Sequence, residues 1–136
     1  MISAAHIEVE RWDGTRASRE RVHCPSVAVL RERLSSLDGD RIDSVWVELD
    51  GVGALSIGGG PDKFIAVSFP ADGSSSHVET NSHEPKSVEL QVGGQIGVYP
   101  GVMILSAALA SAIAEHFLLQ GEFDPSLRWV QDCPPE

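Results

Sequence analysis

Positive charge is scarce in this chain: ten lysines and arginines stand against twenty aspartates and glutamates in 136 residues, a formal net charge of −10 at neutral pH. Such an excess repels nucleic-acid backbones and anionic membrane surfaces, so neither is an expected partner. Cysteine is nearly absent. Cys24 and Cys133 lie far apart without CxxC spacing and read as free thiols in a reducing compartment. The N-terminus "MISAAHIEVERWDG" lacks a basic segment followed by an apolar run, so no secretory signal is predicted and a cytoplasmic location is expected. An uncharged stretch over 96–114 is interrupted by Pro100, glycines and serines and is followed by Glu115 and His116, which argues against a membrane span.

The remaining composition, 42% apolar and 22% charged, suits one globular domain over 1–136. In "AHIEVERW", Ile7 and Val9 alternate with Glu8 and Glu10, the period of a strand with one buried face. A polar loop is expected next. "CPSVAVLRERLSSLDG" carries helix start signals in Pro25 and Ser26 and stop signals in Asp38 and Gly39, with Val27, Leu30, Leu34 and Leu37 on one face. "SVWVELD", "GALSIG" and "KFIAVSFP" have strand character, as do "HVETNS", "KSVELQV" and "GQIGVYP", the last two joined at Gly93-Gly94 as a hairpin. "GVMIL" suggests a last short strand, Ser106 caps a helix that runs to Gln120 and stops at Gly121, and "LRWV" returns to the sheet or covers the helix. The predicted fold is α+β, with an antiparallel, meander-like sheet of about six strands packed against two main helices.

"SIGGGPDKF", residues 56–64, raises the question of a phosphate loop. A Walker-type loop needs Ser or Thr after its lysine and a helix beyond it, whereas Lys63 is followed by Phe64 and a strand pattern. A dinucleotide fingerprint also fails, because Ser56 stands where the third glycine belongs after Gly51 and Gly53. The glycines therefore read as a hairpin bend continued by Pro61-Asp62.

Catalytic patterns are equally hard to find. His77 and His83 in "HVETNSHE" are flanked by Glu79 and Glu84, but their spacing matches no zinc motif and surface histidines explain them. His116 reads as an ordinary helix residue. No GxSxG elbow accompanies "GSSS", and in "DGDRID" the residues Asp38, Asp40 and Asp43 break the calcium-loop spacing. Trp12, Trp46 and Trp129 are expected mainly in the core. No catalytic residue, metal or cofactor is expected.

The C-terminal third, "SAALASAIAEHFLLQGEFDPSLRWV", resembles the closing segment of the Imm1 family of bacterial immunity proteins, through Phe117, Gly121, Pro125, Leu127 and Trp129. "ALSIGGGPDKFIAVSF", with Gly58 and Gly59, is similar to that family's middle hairpin, and "SVAVLRERLSSL" resembles its first helix. The resemblance implies a small α+β protein that binds and neutralises a toxin encoded beside it, often a nucleic acid deaminase and otherwise a nuclease, by occluding its active site. The charge of −10, the lack of catalytic residues and the resemblance together point to a basic toxin domain as partner, since such toxins present cations to phosphates, and a monomer or weak homodimer is expected. Loop carboxylates that a rigid sheet can present are the candidate contacts: Asp38, Asp40, Asp62, Asp72, Glu79 and Glu84. Gly58, Gly59, Phe117, Gly121, Pro125 and Trp129 are assigned to structure. Two alternatives stay open: a small-molecule-binding module with a pocket between sheet and helices, and a hydrolase using His77 or His83.

The reading of the triple glycine as architecture has a direct test. Calorimetry with ATP, GTP or NAD at ~1 mM is expected to give no binding heat, and saturable binding lost in Lys63→Ala would reverse it.

Overall fold

The computed structural model describes residues 5–23, 25–81 and 87–132. Cys24, Cys133, His83 and Glu84 lie outside the described residues. Among the described residues, nine strands and two helices follow in the order β1 (Ala5–Asp13), β2 (Arg16–His23), α1 (Val27–Ser35), β3 (Ile42–Leu49), β4 (Gly53–Gly59), β5 (Phe64–Pro70), β6 (Ser76–Glu79), β7 (Ser87–Val92), β8 (Gln95–Pro100), α2 (Ala107–Gln120) and β9 (Arg128–Gln131). Seven strands form one antiparallel sheet in the order β2-β1-β3-β4-β5-β6-β9, and β7 and β8 make a separate hairpin. The α+β class is as the sequence predicts.

Three details differ from expectation. Arg16–His23 is a strand and not a polar loop, paired with β1 from His6↔His23 to Asp13↔Arg16. As an edge strand it buries almost nothing, so the apolar alternation that betrays other strands is missing. The second is the detachment of β7 and β8 from the main sheet. Third, "GVMIL" is a short 3-10 turn over Gly101–Met103, followed by a single bridge in which Phe64 and Leu105 exchange hydrogen bonds of 3.0 and 2.8 Å.

Both helices cover one face of the sheet. From the strands, Ile7, Val9, Val45, Val47, Leu55 and Ile57 point into this core, where Leu30 and Leu34 of α1 meet Ile113, Ala114 and Phe117 of α2. Each helix begins where a serine accepts a backbone N–H: Ser26 from Val29 at 3.2 Å and Ser106 from Leu109 at 3.1 Å. Gly121 ends α2 in the left-handed region, φ 71°, which only a residue without Cβ adopts without strain. Beyond it Phe123 stacks on Phe117 at 4.6 Å and meets the edge of Trp129 at 5.7 Å, and both Phe123 and Trp129 pack against the core.

The hairpin covers part of the opposite face. Leu90 packs with Ile65 and Ile104, and Val67, Val92 and Tyr99 surround them in a second, smaller core. Gly58 makes room for this: a Cβ there would lie 2.6 Å from Val92 Cγ1. What fastens the hairpin is a bulge. Glu10 pairs with Ser44 and Arg11 with Ile42, which leaves Asp43 as an extra residue on β3. Its fully buried carboxylate accepts from Gly94 N at 2.7 Å, Gln91 Nε2 at 3.0 Å and Trp12 Nε1 at 3.1 Å.

Removing that acceptor strands three donors, of which a buried one costs about 1–3 kcal/mol. Asp43→Ala is therefore expected to lower unfolding stability in urea by about 3 kcal/mol, and Asp43→Asn, which keeps one acceptor oxygen, by less. Equal stability of wild type and Asp43→Ala would show that the hairpin is held by its apolar contacts alone.

Candidate functional site

Where the hairpin's cover ends, the outer face of β1 and β3 lies open. Alternation turns Glu8, Glu10, Trp46 and Glu48 away from the helices, and the antiparallel register sets Glu8 beside Trp46 and His6 beside Glu48. With Arg19 of β2 these side chains line a depression of about 200 Å³. Trp46 lies against Phe69, ring centres 5.2 Å apart, making an aromatic floor. Three carboxylates against one guanidinium leave the depression negative.

The surrounding charges only partly neutralise it. Arg19 Nε is 3.4 Å from Glu10 Oε2, a long contact on an exposed arginine. His6 Nε2 is 2.8 Å from Glu48 Oε2 and 2.7 Å from Arg21 Nη2, so one tautomer donates to the carboxylate and the other accepts from the guanidinium. An aromatic face ringed by carboxylates is suited to a cationic side chain, which gains the ring quadrupole and charge-assisted hydrogen bonds together.

The loop carboxylates singled out from the sequence do not converge there. Gly39 packs against Gly60, which brings the loop of Asp38 and Asp40 to the same end of the sheet as Asp62. Asp72 sits in the turn after β5, at the other end, and Glu79 on β6. Asp38 accepts from Asp40 N at 2.9 Å and Ile42 N at 3.0 Å; partial burial works to raise its pKa, but these backbone bonds outweigh it and the value falls. Asp72 is likewise held down by the Ser74 hydroxyl and backbone N–H. Both are turn-forming residues. Glu8, Glu10, Trp46 and Glu48 escaped sequence reasoning, although their alternation in "HIEVER" and "VWVEL" is the signal that finds them once the two strands are paired.

On the helix side, a half-open cleft of about 460 Å³ lies between α1, α2 and the β4–β5 bend, lined by Leu34, Leu37, Ile57, Phe64 and Ala110 with Arg31 at its rim. Arg31 is already engaged: its Nη2 is 2.7 Å from Glu115 Oε1, and Ser111 Oγ donates to the other carboxylate oxygen at 2.9 Å.

His77 does not sit free on a loop. Its Nδ1 is 2.7 Å from Asp132 Oδ1 and its Nε2 2.8 Å from Glu79 Oε2, a clamp joining β6 to the end of β9. Both ring nitrogens thus face carboxylates. Among the described residues no three His, Cys, Asp or Glu groups are placed to hold a metal ion, and no helix is long and apolar enough to cross a membrane. No family model and no curated protein matches the chain.

The clamp makes stability depend on pH. Burial works to lower the His77 pKa, but the bonds to Asp132 and Glu79 prevail and raise it above 6.5. Burial works to raise Asp132, but the bonds from His77 and Ser75 prevail and lower it below 3.8. The His77 contribution is complete below the unfolded value and fades as pH rises through the folded one; that of Asp132 is complete above its unfolded value and fades as pH falls. Protection of β9 amides from exchange is thus expected to be greatest between about pH 4 and about pH 6.5, and His77→Gln should flatten the decline above that window.

Proposed function

We propose that this protein is an immunity-type inhibitor, acting in the cytoplasm, which binds a basic toxin domain encoded beside it and occludes the surface that the toxin uses on nucleic acid. It is a binding protein without catalysis of its own. The observation that carries the reading is the open, acidic face with Trp46 at its floor, on a chain of net charge −10. The Imm1-like closing segment supports it from the sequence side, and in the fold Phe117 and Trp129 of that segment are packing residues.

The mechanism follows from charge and shape. A toxin acting on nucleic acid presents arginines and lysines to phosphates, and the inhibitor offers those cations carboxylates in place of phosphates. Long-range attraction speeds the encounter, and a cation seated over Trp46 among Glu8, Glu10 and Glu48 holds the complex. A cation–π contact adds about 0.5–2 kcal/mol, and truncating one member of a buried charge pair costs about 2–5 kcal/mol.

A second reading rests on the helix-side cleft, whose volume of about 460 Å³ falls within the range of small-ligand pockets. A thermal-shift screen of small amphipathic molecules separates the two, because only the cleft reading expects saturable stabilisation.

With the toxin domain of the adjacent gene, Trp46→Ala is expected to weaken binding by about 10- to 100-fold, chiefly through faster dissociation. The Glu8→Gln/Glu48→Gln pair should slow association and reduce its dependence on ionic strength. If both variants bind like the wild type and still rescue cells expressing the toxin, recognition lies on another surface; absence of any complex or rescue removes the immunity reading itself.

A further inference from the structure

Strand edges in this protein are guarded unequally. At one end of the main sheet β2 carries Arg16, Arg19, Glu20 and Arg21, and at the other end β9 opens with Arg128. Charges on an edge discourage pairing with another chain. β8, "QIGVYP", carries none. It pairs with β7 alone among the described residues, while β7 itself lies against β3 and β4. Its outward side chains, Ile96 and Val98, are 71% and 67% exposed, the two most exposed of the large apolar residues described.

The register shows what this edge offers. Counting from the two-residue turn at Gly93-Gly94, the pairs Val92↔Gln95, Leu90↔Gly97 and Val88↔Tyr99 exchange backbone hydrogen bonds, so the N–H and C=O of Ile96 and Val98 point away from β7. We propose that this edge pairs antiparallel with the same edge of a second copy of the chain, about a two-fold axis at Gly97. Ile96 then faces Val98 of the second copy and the reverse, so that about four backbone hydrogen bonds form and both apolar pairs are covered.

The match is self-complementary, which favours a copy over an unrelated strand. Two chains of net charge −10 repel over most of their surface, and this uncharged strip is where they can meet. Two short strands bury less than the roughly 1,000 Å² of a stable interface, so the dimer is weak and concentration-dependent. β8 shares no residue with the acidic face, and its pairing stands apart from the toxin reading.

Sedimentation equilibrium from ~10 μM to ~1 mM tests it, with a reversible dimer expected for the wild type. Ile96→Glu/Val98→Glu sets carboxylates opposite one another and should abolish the dimer over that range while leaving the circular dichroism unchanged. In the wild type, the Ile96 and Val98 amides should exchange at least ~10-fold more slowly at the high concentration than at the low one. A wild type that stays monomeric, a dimer that the double variant retains, or amides that exchange alike at both concentrations would each overturn the proposal. The amide measurement decides the matter even if the double variant does not fold.

Discussion

Asp43 stands where β3 has one residue more than its neighbour, and the bulge turns its carboxylate to the side of the sheet that the helices do not cover. Three N–H donors hold it, one from β1, one from β7 and one from the Gly93-Gly94 turn. A buried carboxylate held by such donors tolerates little displacement, because each lost bond leaves it poorly solvated. The hairpin is thus fixed at its tip, and its apolar side settles over β4 and β5. A Cβ on Gly94 would run into the Trp12 indole, so the same contact that anchors the tip also fixes how closely it approaches β1. The outer half of the sheet that remains, over β1 and β3, is open because the anchor stops the cover there.

How much of this the sequence reveals depends on which interactions leave a periodic trace. Both helices were legible, since Ser26 and Ser106 cap them as predicted and Leu30, Leu34, Ile113 and Phe117 fall on their buried faces. The bend at Gly59 and Gly60 and the turn at Gly93-Gly94 were legible because positive φ demands glycine. β2 was not: an edge strand exposed on both faces has no apolar alternation to read. Nor was the separate hairpin, for Val88, Leu90 and Val92 alternate in the same way whether their strand joins the main sheet or lies across it.

The candidate site was hidden for a different reason. Loop aspartates look available in a sequence, yet Asp38, Asp72 and Asp124 each accept the N–H of a residue two or four positions on and thereby shape their own turns. For Glu10 and Glu48 the partners lie on neighbouring strands instead, Arg19 and His6. Their carboxylates stand clear of the backbone, and whether several of them meet is decided by strand register, a long-range property absent from any single segment. Glu8 and Glu48 come together only because β1 pairs with β3 in one register and no other.

That placement separates the outward face of β1 and β3 from the residues that hold the fold. Glu8 sits between Ile7 and Val9, and Trp46 between Val45 and Val47, all four neighbours buried in the core against the helices. Each of these half-buried outward positions is held by the packing of its neighbours in sequence, so the shape of the face is set by the core beneath it. The converse also holds: the outward residue of a strand can change without disturbing the inward ones. The outward side chains of β1 and β3 can therefore be exchanged while the two helices, the Asp43 anchor and the core beneath stay as they are.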